Sequence, residues 1–235
     1  MTSTGIKVGG ITPLTTIDFP GHLSAVIYLQ GCPWRCRYCH NGPLLNPGEE
    51  TDIGPDQVLD FLKRRRGLLD GVVFSGGEPT YWRGLPDYIA SIREIGYNVA
   101  LHTNGAFPDQ LDRLLKDGLL DWVAMDVKAP FDQYRKINRI PGSGQEAKKS
   151  VQKLLDSSVQ VEFRTTVHPD LLSREDILNL AEVLSSMGAK RYVLQKCRME
   201  HSLDPELRRE HFDFDSFFNE LRPSLQALFP SIDTR

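Results

Sequence analysis

Six short apolar runs recur along the chain: Ser24 to Gln30 (SAVIYLQ), Gly71 to Ser75 (GVVFS), Asn98 to Thr103 (NVALHT), Asp121 to Val127 (DWVAMDV), Val159 to Val167 (VQVEFRTTV) and Arg191 to Gln195 (RYVLQ). They are too short for buried helices and rich in β-branched and aromatic residues, so each reads as a strand. Between them, Pro55–Arg66, Leu85–Ile95, Pro108–Lys116, Gln145–Asp156 and Arg174–Ser186 carry apolar residues three and four apart, as at Val151, Leu154 and Leu155, the period of an amphipathic helix. Near-continuous apolar strands separated by helices imply a parallel sheet covered on its outer side, either open and doubly wound or rolled towards a barrel. With 235 residues, 40% of them hydrophobic, the chain can bury one such core, and no internal linker or low-complexity segment divides it. The expectation is therefore one domain over residues 1–235. Its core spans about 20–200, and a helical extension over 201–235 carries Phe212, Phe214, Phe217, Phe218, Leu221, Leu225 and Phe229 as a closing helix.

In such architectures chemistry collects where the strands end. Cys32, Cys36 and Cys39 follow the first of the six runs, in the stretch GCPWRCRYCHN. Gly76-Gly77-Glu78-Pro79 follows the second, His102-Thr103-Asn104-Gly105 ends the third, Asp126 and Lys128 end the fourth, Arg164, Thr166 and His168 end the fifth, and Cys197 follows the sixth. A shared rim would gather them into one site.

Charge and hydropathy narrow the setting. The formal net charge is −3, so no basic excess calls for nucleic acid as a partner. No run reaches the roughly 18 to 20 apolar residues of a membrane helix, and residues 1–10 lack the apolar core of a signal peptide. The chain is expected in the cytoplasm and away from membranes, where thiols stay reduced and a cysteine cluster signifies metal or catalysis before disulfides. Zinc would need a fourth ligand, and His40, directly beside Cys39, would strain a tetrahedral site. Three thiolates holding a [4Fe–4S] cluster leave one iron open to bind and polarise a small molecule. Three buried cysteines acting only as small hydrophobes are a poor account of a set interleaved with Pro33, Arg35 and Arg37.

The spacing Cys32-x3-Cys36-x2-Cys39 after a strand, followed about 40 residues on by Gly76-Gly77-Glu78-Pro79 after another, resembles the radical S-adenosylmethionine (SAM) superfamily. Within it, Ile17-Asp18-Phe19-Pro20-Gly21, Leu29-Gln30-Gly31-Cys32, Tyr38-Cys39-His40-Asn41, Ser75-Gly76-Gly77-Glu78-Pro79, Thr103-Asn104-Gly105 and Asp126-Val127-Lys128 are similar to the activating proteins of glycyl-radical enzymes. The likeness is greatest to the activase of anaerobic ribonucleoside-triphosphate reductase, and it covers roughly residues 10 to 200.

The resemblance implies a partial (β/α)6 barrel open on one side, and an oxidoreductase carrying one [4Fe–4S] cluster on Cys32, Cys36 and Cys39. It further implies reductive cleavage of S-adenosylmethionine to a 5′-deoxyadenosyl radical, and removal of a glycine α-hydrogen from a partner reductase, the alternatives being activation of another glycyl-radical enzyme or action on a small molecule. Gly76 and Gly77 would let the backbone approach the methionyl ammonium, and Glu78 would accept a charge or brace the loop. Lys128 would meet the SAM carboxylate, Asp126 the ribose or a cation, and Tyr38 would stack near adenine. Thr103 and Asn104 would serve ribose or carboxylate, and Arg164 with Thr166 would line the other side. His102 departs from relatives that show Asp there. An electron donor such as flavodoxin or ferredoxin completes the expected partners.

Other residues carry the plainer reading. Cys197 is a non-ligand thiol, since a fourth ligand would close the open iron. Lys63-Arg64-Arg65-Arg66 is a solvated helix end, and His168, His201 and His211 have no metal-like spacing. A single spare cysteine leaves no set for a second cluster.

Overall fold

The computed structural model describes residues 5–209 and 211–235, so residues 1–4 of the stretch read for a signal peptide lie outside it. The six apolar runs form β2 (Ser24–Leu29), β3 (Gly71–Gly76), β4 (Asn98–Thr103), β5 (Trp122–Asp126), β6 (Gln160–Val167) and β7 (Arg191–Lys196). Two further strands, β1 (Val8–Thr15) and β8 (Ser231–Thr234), make the sheet eight-stranded, in the order β1 to β8. β1 runs antiparallel to β2; every other neighbouring pair is parallel. With strand order following chain order, each crossover steps the same way and the sheet curls towards a barrel that β1 and β8 do not close.

Both additional strands lie at sheet edges, where little apolar pattern is needed. β1 holds Gly9, Gly10 and Pro13; an edge tolerates proline, and a Cβ on Gly9 would lie 2.4 Å from the Leu44 side chain. β8 is four residues long and lies within the tail expected to be helical, so the tail is helical only in part.

The helices are α1 (Pro55–Arg65), α2 (Leu85–Ile95), α3 (Pro108–Lys116), α4 (Arg135–Asn138), α5 (Ser143–Leu155), α6 (Arg174–Met187) and α7 (Phe214–Leu228). Prolines begin α1 and α3, where no intrahelical N–H is lost, and Gly96 and Gly188 end α2 and α6 in the left-handed region with φ of 108° and 105°. Lys63, Arg64 and Arg65 fill the last turn of α1, which is exposed. Among the described residues no helix is long and apolar enough to cross a membrane.

Two apolar layers hold the sheet. The larger lies between sheet and helices, and a smaller one inside the curl joins Phe19, Val26, Val73, Ala100, Trp122 and Ala124. Phe19 belongs to the loop joining β1 and β2, which folds back so that this ring stacks 6.1 Å from Trp122. Gly71 is the counterpart: a Cβ there would lie 2.9 Å from the Phe19 ring. The seven parallel strands thus deliver their carboxyl ends to one rim, above a base filled from within.

Candidate active site

The cysteine loop leaves β2 through Gly31, whose φ of 91° requires glycine. It is pinned at once to the returning chain, Gly31 N–H to Leu44 O at 2.7 Å and Cys32 N–H to Leu45 O at 3.1 Å. Further on, Arg37 N–H donates to Ile137 O at 2.9 Å and Cys39 N–H to Cys36 O at 2.9 Å, while Arg35 Nη1 caps Cys32 O at 2.7 Å. All three thiols are free, Cys32 and Cys36 buried and Cys39 half-buried. Burial pushes Cys32 up to about 12 and Cys36 up to about 11, so without a metal these sulfurs stay protonated, and a bound cation is what would make them thiolates. Among the described residues no three His, Cys, Asp or Glu side chains converge as ligands of one metal ion. The three thiols instead line a cavity of about 840 Å3.

The Gly76–Pro79 loop is bonded to the cysteine loop. Gly77 N–H donates to Leu29 O and Glu78 N–H to Gly31 O, each at 2.8 Å. A Cβ on Gly76 would lie 2.5 Å from Leu29 N, and one on Gly77 2.2 Å from Gly31 O. The protein's own backbone therefore requires both glycines, a demand that the expected approach of a ligand ammonium does not by itself account for.

Glu78 is fully buried and is absent from the cavity wall. Its Oε1 accepts from Thr80 N at 3.0 Å, Thr80 Oγ1 at 2.5 Å and Thr103 Oγ1 at 2.7 Å, and its Oε2 from Asn104 N at 2.7 Å. Of the two expected roles this geometry is that of the brace. Burial raises its carboxyl above the usual range against the pull of those donors. Thr103 spends its hydroxyl proton on Glu78, whereas Asn104 turns its Nδ2 to Cys32 Sγ at 3.5 Å.

Across the cavity, Lys128 Nζ lies 3.2 Å from Asp126 Oδ2 and 5.8 Å from the centre of the Tyr38 ring. Burial alone would lower the Lys128 ammonium, but Tyr38, Asp126 and Cys36 hold it well above its ordinary value. Burial opposes ionisation of Asp126, and Lys128 and Arg164 outweigh it. Arg164 donates from Nε to Glu162 Oε1 at 2.7 Å and lies 5.2 Å over Trp122. Thr166 Oγ1 lies 3.4 Å from Gln195 Oε1. His102 is bonded through Nε2 to Asp18 O at 2.9 Å, which joins β4 to the loop that carries Phe19.

Tyr38, Gly76, Gly77, Thr103, Asn104, Asp126, Lys128, Arg164 and Thr166 thus share one cavity with the three cysteines, and of the expected site residues only Glu78 stands behind it. Gln195 and Tyr28 also line it without having been singled out, as does Asn41, which was quoted in a motif but given no role. Asn41 carried a signal of its own, adjoining the cysteine cluster, and it donates from Nδ2 to Gly76 O at 3.3 Å.

The family model for the radical SAM superfamily matches residues 26–184. The chain belongs to the radical SAM superfamily. A Methanocaldococcus jannaschii protein that carries the provisional name of glycyl-radical enzyme activating enzyme is 35% identical over 210 residues, 86% of this chain and 84% of its own. The pyruvate formate-lyase-activating enzyme of Clostridium pasteurianum is 29% identical over 191 residues, 77% of each chain. Streptococcus suis SuiB bound to S-adenosylmethionine shares the fold, with a TM-score of 0.70 at 14% identity over 89% of this chain; the match spans 49% of the SuiB chain.

As a radical SAM oxidoreductase the chain uses a [4Fe–4S] cluster and S-adenosylmethionine, and its residues fit both. Three free cysteines lining one cavity, with no three His, Cys, Asp or Glu side chains among the described residues placed to hold a single metal ion, suit a cluster better than a single ion. Two buried polar atoms of cavity-lining residues, Tyr38 OH and an Arg164 terminal nitrogen, have no hydrogen-bond partner among the described residues, which is where a polar ligand would be satisfied.

Proposed function

We propose that this chain activates a glycyl-radical enzyme, most specifically an anaerobic ribonucleoside-triphosphate reductase, by removing one α-hydrogen from a glycine of that partner. The reading rests on one observation above the others: three free thiols, a buried ammonium and a half-paired guanidinium line a single open cavity at the strand ends. The names of the Methanocaldococcus and Clostridium relatives support the activase class.

In this proposal Cys32, Cys36 and Cys39 hold the cluster, and Cys197, which also lines the cavity, is left out of the ligand set because a fourth thiolate would close the open iron. When bound, the cluster and S-adenosylmethionine supply, by reductive cleavage, the primary carbon radical that the reaction needs. The chain's own residues bind and orient. Lys128 and the free nitrogen of Arg164 are the cations for a carboxylate, Asp126 takes a hydroxyl pair or an ammonium, and Tyr38 offers its ring face and hydroxyl. Gly76, Gly77, Thr103, Asn104 and Thr166 shape the wall, with Glu78 bracing the loop from behind. Because a glycyl radical is stabilised by its flanking amide and carbonyl, the protein's task is to position the reactants and exclude water. The open side of the barrel admits a loop of the partner, and a small acidic carrier of the flavodoxin or ferredoxin kind delivers the electron.

The test begins with metal. Anaerobic reconstitution should load about four irons and four sulfides per chain, and the loaded protein should cleave S-adenosylmethionine with a strong reductant. Replacing Cys32, Cys36 or Cys39 by Ala should abolish both, while Cys197→Ala should leave both largely intact. Loss of the cluster in Cys197→Ala would overturn the open-iron assignment, and stoichiometric zinc without iron uptake would overturn the function.

A further inference from the structure

Arg37 sits between Cys36 and Cys39 yet does not line the cavity. It turns outward onto a strap formed by residues 197–209, and the contact spans 167 positions of sequence. Arg37 Nε donates to Asp204 Oδ2 at 2.7 Å, and Arg37 O accepts from Asp204 N at 2.8 Å. The same Oδ2 accepts from Arg139 Nη2 at 3.2 Å, and Oδ1 accepts from Glu206 N at 3.1 Å. Arg139 follows α4 directly and is the sole non-glycine with positive φ among the described residues, at 61°. Since Arg37 N–H is bonded to Ile137 O, the middle of the cysteine loop is held between α4 and the strap, with Asp204 tying all three.

The strap is itself fixed at both ends. Cys197 N–H donates to Val167 O at 3.2 Å, His168 donates from Nε2 to Leu207 O at 2.8 Å, and Arg209 Nε donates to Asp170 Oδ2 at 2.8 Å. A carboxylate at the middle of an anchored segment is a stationary post, and with a side chain only 13% exposed under two guanidiniums it is held firmly. The first cysteine is secured elsewhere, by Leu45 and Arg35.

We infer that Asp204 is a positioning residue which, through Arg37, fixes the spacing of Cys36 and Cys39 and so the grip on the cluster. The inference rests on the cluster assignment proposed above, and its test separates the two. In cluster-free protein the readout is the rate at which iodoacetamide modifies each cysteine, followed by peptide mass. In Asp204→Asn, which keeps the size and loses the charge, Cys36 and Cys39 should react about tenfold faster with Cys32 unchanged, and Asp204→Glu should recover most of the protection. After reconstitution, Asp204→Asn should lose iron to a chelator about tenfold faster than wild type. Equal rates in the variant and wild type overturn the inference, and so does a uniform rise at all three cysteines, which would mean general loosening. A wild-type chain that takes up no iron overturns the cluster assignment beneath it, whatever the alkylation pattern.

Discussion

Glu78 and Lys128 are both buried charges at the rim, and their surroundings give their substitutions opposite consequences. Glu78 accepts four hydrogen bonds from Thr80, Thr103 and Asn104, so removing its carboxylate strands four buried donors. Glu78→Ala should therefore destabilise the cluster-free fold by roughly 3 kcal/mol, read as a shifted urea midpoint, because unmade buried hydrogen bonds cost more than made ones contribute. Lys128 faces the cavity and, among the described residues, is ion-paired to Asp126 alone. Lys128→Ala should leave iron content normal and lower S-adenosylmethionine affinity by about ten- to a hundredfold, the loss of one charge-assisted contact, measurable by calorimetry. Unchanged stability in the first or unchanged affinity in the second would show that the two roles are misassigned. The residue types at both positions were legible from the motifs Gly-Gly-Glu-Pro and Asp-x-Lys. Which way each side chain turns was not, because that depends on partners 25 and 26 positions away in the case of Glu78.

At the scale of elements, β4 and the loop between β1 and β2 are linked by His102 and Asp18 O. Burial and the charge of Arg164 push His102 from 6.5 down to about 4, so it stays neutral in the folded chain where an unfolded histidine would take a proton. The unfolded state binds the extra proton between those two values, so stability is full above about pH 6.5 and declines as the pH falls towards 4, by roughly 3 kcal/mol in all. His102→Gln should flatten that decline in urea titrations of the cluster-free protein; an equal slope in the variant would assign the pH dependence elsewhere. The strands and helices of the βα repeat were readable because each carries its own apolar period. β1 and β8 were not, since glycines and a proline interrupt one and the other has four residues, and each is held by the neighbouring strand it pairs with.

Taken whole, the molecule is an eight-stranded curl with a base closed by Phe19 and Trp122 and a cavity at its parallel strand ends. The cysteine triplet and the residues at successive strand ends announced much of the cavity's lining, because parallel topology sends those ends to one rim whatever the intervening loops do. The strap from the far end of the chain onto Arg37 could not be read, because an Asp at position 204 has no pattern that names its partner 167 positions away. In the proposed function the open side of the curl is where a partner's loop would enter. The most direct measurement mixes the reconstituted protein anaerobically with S-adenosylmethionine, reductant and an anaerobic ribonucleoside-triphosphate reductase labelled with deuterium at its glycine α-carbons. The account predicts a glycyl doublet in electron paramagnetic resonance, with deuterium recovered in 5′-deoxyadenosine. Cleavage of S-adenosylmethionine without label transfer from that reductase or from any other glycyl-radical enzyme would contradict it.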